Sequence, residues 1–174
     1  EPPCRTVWHT DTDKPVAQIA EVVDAGRPLG IDKEWPAKFL IPLMETHPGM
    51  QVVLSSDCVD DCRACKDAEE QTLMREASRI NDAVNEAAKH YIKAGMTERE
   101  VAEFIGAQFR AHGCEGPSFT TIVSFGANAA DPHHEPDDTV LKEGDCVLFD
   151  MGCVKSRYCS DMTRTWFCGQ PTEK

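Results

Sequence analysis

The chain has 174 residues, which is enough for one hydrophobic core or for parts of two domains. Its formal net charge is −12, from 18 basic and 30 acidic residues, which argues against nucleic acid or an anionic membrane surface as the main partner. The sequence contains no apolar run long enough to span a bilayer, so we expect no membrane-embedded helix.

Residues 1–58 alternate between strand and helix signals. Short apolar runs predict strands at 6–8, 28–31 and 51–54, and helices are predicted over 15–25 and 33–46. Asp13 should cap the first helix ahead of Pro15, and Asp32 should cap the second. This β-α-β-α-β order is typical of an α/β unit with parallel strands, and three short strands indicate only part of a domain.

The clearest helix follows, over residues 66–94. Apolar residues recur there at steps of three and four, at Leu73, Ala77, Ile80, Val84, Ala87 and Tyr91. A second helix should start after Thr97 and run to about residue 112, because Thr97 and Glu100 have the spacing of a capping box. A strand at 119–125, a loop at 126–135 and two further strands complete an α-α-β-β-β order, which indicates an α+β fold.

The nine cysteines are an odd number, and the chain is not a short secreted domain, so we expect reduced thiols and a cytoplasmic protein. Cys58, Cys62 and Cys65 have a spacing that suggests a zinc site, but no fourth ligand lies at a suitable distance in the sequence. Scattered cysteines at the start of a helix are therefore the favoured interpretation.

Two aspartates lie in or beside the last two predicted strands. Asp150 ends the strand 146–150 and Asp161 lies inside the strand 158–167, so in a simple hairpin their backbones would be about 4.8 Å apart. Two carboxylates about 4 Å apart repel by roughly 4 kcal/mol at an effective dielectric constant near 20. Either an arginine, Arg157 or Arg164, pairs with one aspartate, or the two share a proton or a divalent cation.

The motifs around these aspartates resemble a known family. Asp150-Met151-Gly152, Tyr158 and the segment 160–165 (SDMTRT) are similar to the signature of the creatinase, prolidase and aminopeptidase P group of metallopeptidases. The segment 124–134 (SFGANAADPHH) resembles the substrate-side loop of that family. The resemblance, which favours the prolidase and Xaa-Pro aminopeptidase branch, covers about residues 59–171. It implies that residues 59–174 form the N-terminal part of a pita-bread catalytic domain, and residues 1–58 the C-terminal part of a smaller α/β domain.

The resemblance also implies a dinuclear metal site. Family members hold two divalent cations, often manganese, cobalt or zinc, with two Asp, one His and two Glu, and Asp150 and Asp161 match the first two ligands. His133 matches the active-site histidine that contacts substrate, and the adjacent His134 is less favoured. Phe119 matches a position lining the pocket for the residue before proline, with plain strand core as the alternative.

The implied activity is hydrolysis of the bond between an N-terminal residue and proline, in Xaa-Pro dipeptides or peptides, by a metal-bridging hydroxide. Thr163 is expected to hydrogen-bond to a metal ligand. The complete protein is expected to be a homodimer that contacts neither nucleic acid nor membrane.

Further ligands are not evident after Asp161, since no His follows and Glu173 follows too closely. We therefore expect an incomplete piece of a longer enzyme that is inactive alone. Methionine aminopeptidases fit less well, because the segment 160–165 and the preceding α/β unit resemble the prolidase branch. Creatinase works without metal, so the two aspartates argue against it. A non-catalytic pita-bread module that binds peptides or proteins is the alternative function.

Overall fold

The structure is a computed structural model that describes residues 6–171. Its internal contacts divide the chain into two units, Glu1–Cys65 and Lys66–Lys174. The division lies a few residues beyond the boundary expected at residue 58. None of the helices within the described residues is both long and apolar enough to cross a membrane.

The first unit combines short helices with a two-stranded sheet. Its helices are α1 (Pro15–Ala20), α2 (Ala37–Thr46) and α3 (Asp57–Ala64), and its strands are β1 (Leu29–Ile31) and β2 (Val52–Leu54). The two strands are parallel, with Leu29 opposite Val52. This pairing confirms the parallel component predicted for the unit.

Several predicted element boundaries in the first unit are wrong. Residues 6–8 form no strand, since strand-forming residues need a partner strand to pair with. Asp13 accepts a hydrogen bond from the amide of Thr10 and does not cap α1, which ends at Ala20. Asp32 accepts a hydrogen bond from the amide of Glu34 at 2.8 Å, which closes a turn and delays α2 until after Pro36.

Two helices that begin with capping boxes start the second unit. They are α4 (Ala68–Tyr91) and α5 (Glu98–Ala111). At α5 the amide of Glu100 donates to Oγ1 of Thr97 at 3.2 Å, and the amide of Thr97 donates to Oε2 of Glu100 at 2.8 Å. This confirms the predicted capping box. Asp67 and Glu70 form an equivalent box at α4 that the sequence analysis did not identify.

Six strands and a 3-10 helix complete the second unit. The strands are β3 (Gly116–Pro117), β4 (Ile122–Phe125), β5 (Cys146–Met151), β6 (Cys153–Lys155), β7 (Tyr158–Cys159) and β8 (Met162–Phe167), and the 3-10 helix is Gly126–Ala130. They form two antiparallel sheets, β4-β5-β8 and β3-β6-β7. A two-residue turn joins β6 to β7, and both of its residues, Ser156 (φ 51°) and Arg157 (φ 66°), have left-handed backbone conformations.

The hydrophobic core of the second unit includes residues from both helices and one face of the β4-β5-β8 sheet. Along β5, Val147, Phe149 and Met151 are buried, whereas Leu148 and Asp150 are only partly buried. Because successive strand residues point to opposite faces, Asp150 lies on the sheet face away from this core. The fully or almost fully buried members of the core are Ala77, Val84, Ala88, Val101, Ile105, Phe109, Val123, Phe125, Leu141, Val147, Phe149, Met151 and Cys153.

Candidate functional site

Asp150 is fixed by a hydrogen bond across the β5-β8 pair. It lies directly opposite Thr163 in the strand register, and Oγ1 of Thr163 donates to Oδ1 of Asp150 at 2.8 Å. The resemblance predicts a hydrogen bond from Thr163 to a metal ligand; the bond to Asp150 is present, and the ligand role of Asp150 stays a prediction. This hydrogen bond orients Oδ1 of Asp150, and the second carboxylate oxygen takes no part in it.

Asp161 is not inside a strand, and in this respect the predicted hairpin is wrong. The second predicted strand is interrupted at Ser160 and Asp161, which separate β7 from β8. Asp161 is exposed and precedes Asp150's register partner Thr163 by two positions. The two aspartates are therefore not cross-strand partners, and Asp161 lies just beyond the end of the β5-β8 pairing at Met162. Among the described residues, neither aspartate forms an ion pair with Arg157 or Arg164.

A tight polar framework holds the backbone between the two aspartates. Oγ of Ser118 donates to the carbonyl of Ser160 at 2.8 Å, and the amide of Ser118 donates to the carbonyl of Gly152 at 3.1 Å. The amide of Cys153 donates to Oγ of Ser160 at 3.0 Å. A Cβ atom added to Gly152 would overlap the Ser160 carbonyl and the Ser118 hydroxyl. The glycine of the Asp150-Met151-Gly152 motif is thus required by close backbone approach.

Two side chains connect this framework to α4. The buried Asn81 donates from Nδ2 to the carbonyl of Met151 at 2.9 Å. The hydroxyl of Tyr158 donates to Oε1 of Glu70 at 2.9 Å, and this hydrogen bond, helped by burial, raises the pKa of Tyr158. Glu70 therefore serves both the capping box of α4 and the β6-β7 hairpin.

His133 and His134 have different environments. His133 is exposed, and its backbone amide donates to Oδ1 of Asp131 at 2.9 Å. The side chain of His134 is only 14% exposed, and its Nε2 lies 2.6 Å from Oε2 of Glu98. The less favoured histidine of the sequence analysis is thus the one in a buried polar network.

Glu98 is the centre of that network, and the sequence analysis missed it. Its carboxylate is fully buried at the first turn of α5. Its Oε1 accepts hydrogen bonds from the amide of Phe125 at 2.7 Å and from Nδ2 of Asn128 at 3.0 Å. Its Oε2 accepts one from the amide of Asp137 at 3.1 Å, in addition to the contact with His134. No local pattern distinguishes Glu98 from the exposed acidic residues that commonly begin helices.

Glu98, His134 and Asp137 each offer a potential metal-ligand atom, and these atoms lie within 4.8 Å of one another. Both oxygens of Glu98 are already occupied by hydrogen-bond donors, two of which are backbone amides that cannot rotate away. The hydroxyl and amide of Thr139 lower the pKa of Asp137. This arrangement is better suited to holding a loop than to holding a cation.

Phe119 and the cysteines have no established role in a site. Phe119 is partly buried in the bend between β3 and β4, so the predicted strand at 119–125 is wrong at its start, and the part of Phe119 in a substrate pocket stays a prediction. Cys58, Cys62 and Cys65 are exposed free thiols and belong to no three-residue metal-ligand group among residues 6–171. The other described cysteines, Cys114, Cys146, Cys153, Cys159 and Cys168, are also free.

The sequence of this chain is similar to those of known peptidases. A sequence profile described as metallopeptidase family M24 matches residues 72–174. An uncharacterised peptidase from Staphylococcus aureus is 40% identical over 116 residues, which are 67% of this chain and 33% of the relative. The chain thus spans about a third of the length of the curated relatives it matches.

Solved structures resemble this chain over most of its length. A prolidase from Pyrococcus furiosus has a TM-score of 0.83 at 31% identity, covering 90% of this chain and 46% of that protein. An Xaa-Pro dipeptidase from Bacillus anthracis has a TM-score of 0.84 at 28% identity, covering 93% of this chain and 46% of that protein. These matches confirm the expected fold class, α+β with the first part of a pita-bread domain after the end of a smaller α/β domain.

Proposed function

Because the chain belongs to metallopeptidase family M24, we propose that the complete protein is a metal-dependent peptidase that cleaves between an N-terminal residue and proline. The observation that carries this proposal is the arrangement of Asp150 on β5 and Asp161 just before the neighbouring strand β8, with Thr163 orienting Asp150. The likeness to proteins described as a prolidase and an Xaa-Pro dipeptidase supports the choice of substrate.

The donor set fits a divalent cation. Both aspartates offer carboxylate oxygens, which hard divalent cations prefer, and one of these carboxylates is already oriented by a hydrogen bond. We assign two cations, of manganese, cobalt or zinc, to Asp150, Asp161 and further ligands outside the present 174 residues. When bound, such cations would polarise the scissile carbonyl and lower the pKa of water.

The residues of this chain then have separate tasks. Asp150 and Asp161 bind the cations, and Thr163 holds Asp150 in one orientation. His133, on the exposed loop, donates a hydrogen bond to the carbonyl oxygen of the substrate and stabilises the charge that develops there. Phe119 contributes to the pocket for the residue before proline. Free thiols at the described cysteines support a cytoplasmic location, and the homodimer stays a prediction.

The test uses the complete protein, stripped of metal with a chelator and resupplied with manganese, cobalt or zinc. We expect hydrolysis of Ala-Pro only with added metal, and little hydrolysis of Ala-Ala. Asp150→Asn and Asp161→Asn should each lower bound metal and reduce kcat/KM by at least about a hundredfold. Asp82→Asn is the control, since Asp82 is an exposed carboxylate on α4.

Two results would contradict the proposal. Peptide binding without hydrolysis under every metal condition would favour the non-catalytic binding module instead. Ala-Pro turnover by the isolated 174-residue chain with manganese would show that the ligands in this chain suffice.

A further inference from the structure

The segment between β4 and β5 carries His133 and contacts α5 through the Glu98 carboxylate, through backbone hydrogen bonds and through an ion pair between Arg99 and Asp138. It leaves the sheet at Phe125, runs through the 3-10 helix Gly126–Ala130 and a loop, and returns beside α5 at an isolated bridge between Thr97 and Val140. We define residues 126–139 as the histidine loop. The carboxylate of Glu98 contacts the chain on both sides of His133.

The contacts divide evenly between the two oxygens of Glu98. Oε1 accepts from Phe125 and Asn128, which precede His133. Oε2 accepts from Asp137 and contacts Nε2 of His134, which follow it. The buried carboxylate therefore joins the two arms of the histidine loop, together with the hydrogen bond from Nδ2 of Asn128 to Oγ1 of Thr139.

The chemistry of the contact assigns the state of His134. An ionised carboxylate only accepts, so with Glu98 in that form Nε2 of His134 is the donor of the 2.6 Å hydrogen bond. Nδ2 of Asn128 lies 3.2 Å from the same Nε2, and its two hydrogens are used by Glu98 and by Oγ1 of Thr139 at 3.1 Å. The position of Glu98 at the N-terminus of α5 further favours its negative charge.

The backbone of α5 reinforces the second arm. The amide of Glu98 donates to the carbonyl of Thr139 at 3.2 Å, and the amide of Arg99 donates to the carbonyl of Asp137 at 3.1 Å. These bonds fix residues 137–139, whereas within residues 6–171 the hydrogen bond of His133 is the one from its amide to Oδ1 of Asp131. The side chain of the adjacent His134 is thus the nearest anchor to His133 on the C-terminal arm.

We propose that Glu98 and His134 are positioning residues that hold His133 in its productive orientation. This inference rests on the proposed function, in which His133 contacts the substrate. A displacement of about 1 Å at a catalytic group can reduce the rate about a hundredfold, so the anchor has a measurable consequence. His134 itself contacts Glu98 and not the substrate.

The first test is a double-mutant cycle in the complete protein with Ala-Pro as substrate. His134→Ala should lower kcat by about 10- to 100-fold with a smaller change in KM, because a misplaced His133 stabilises the transition state less well. When His133 is already replaced by Ala, the further change His134→Ala should lower kcat by less than about threefold. If the two losses multiply instead, His134 does not act through His133 and the proposal is overturned.

Conservative variants separate positioning from loss of folding. His134→Gln retains an N–H donor that can reach Glu98, so it should recover most of the kcat lost in His134→Ala. Glu98→Gln keeps the size of the side chain but replaces one accepting oxygen with an NH2 group, which faces a hydrogen-bond donor on one arm. This variant should therefore lose as much kcat as His134→Ala. His90→Ala is the control, because His90 is an exposed histidine at the end of α4. Equal activity in His134→Ala and the wild type would overturn the proposal.

A second readout does not depend on activity. Amide hydrogen exchange across residues 126–139 should be at least about tenfold faster in His134→Ala and Glu98→Gln, and near wild type in His134→Gln. If exchange is unchanged in His134→Ala, the anchor does not exist and the proposal fails. If the wild type does not hydrolyse Ala-Pro, the proposed function fails separately, and the exchange rates still decide whether the pair orders the loop.

Discussion

The hydroxyl of Thr163 donates a hydrogen bond to Oδ1 of Asp150 across the paired strands β5 and β8, at 2.8 Å. Thr163→Val keeps the shape of the side chain and removes the donor. We expect the complete protein to bind manganese about 10- to 100-fold more weakly, because the carboxylate loses the partner that orients it. Titration calorimetry of the metal-stripped protein measures this.

Thr165→Val is the matched control for this prediction. Thr165 lies on the same strand, is exposed like Thr163 and stands opposite Leu148. Its replacement should change manganese affinity by less than about twofold. An equal loss in both variants would mean that distortion of β8, and not the hydrogen bond, causes the effect.

The close approach at Gly152 predicts a large loss of stability on adding one methyl group. In Gly152→Ala the new Cβ would overlap backbone and side-chain oxygens of Ser160 and Ser118, so we expect a loss of at least about 1–3 kcal/mol in the free energy of unfolding. At Gly106, inside α5, a Cβ would meet Nη1 of Arg110 at an ordinary 3.5 Å. Gly106→Ala should therefore stabilise by about 0.5–1 kcal/mol. Urea unfolding of both variants tests the contrast, and a neutral Gly152→Ala would refute it.

The capping box at α5 predicts a smaller effect. Thr97→Ala removes the side-chain acceptor for the amide of Glu100 and should lower the free energy of unfolding by about 1 kcal/mol. Thr97→Ser keeps the hydroxyl and should cost only a few tenths of a kcal/mol. Chemical denaturation distinguishes the two, and identical losses would show that the methyl group matters more than the cap.

The thiols should differ in reactivity. Burial, with a contact to Cys153, raises the pKa of Cys114 from 9.0 to about 11. A pKa two units higher leaves about a hundredfold less thiolate at pH 8, so iodoacetamide should modify Cys114 far more slowly than the exposed Cys58, Cys62 and Cys159. Because thiolate is the reactive form, the rate at Cys114 should keep rising as the pH increases toward 11. Peptide mass spectrometry measures each site, and rapid labelling of Cys114 at pH 8 would contradict the burial seen here.

Local sequence patterns predicted those parts of the fold that depend on local contacts. The capping box of α5 is set by Thr97 and Glu100, three positions apart, and it is present as expected. The α2 start was misplaced because the turn at Asp32 competes with the helix, and the sequence pattern allows both. The missing strand at residues 6–8 would have required a partner that propensity alone does not reveal.

The candidate site was predictable only in part. The resemblance identified Asp150 and Asp161 as residues to examine, but not that a separate β6-β7 hairpin would separate them and place Thr163 opposite Asp150. Glu98 was not identified from the sequence because its partners lie far along the chain, and His134 is 36 positions away. Contacts between residues so far apart in the sequence produce no periodic pattern around Glu98 or around His134.

The two-residue turn at Ser156 and Arg157 gives the segment between the aspartates a fixed length. Its left-handed backbone suits the tight hairpin that pairs Val154 with Cys159. Inserting or deleting one residue there would slip β7 along β6 and turn Ser160 from one face of the strand to the other. Replacement of Ser156 or Arg157 by Asn or Gly would leave that register intact. Along this segment, chain length is therefore under stricter constraint than residue identity, and related sequences should vary here by substitution and not by insertion.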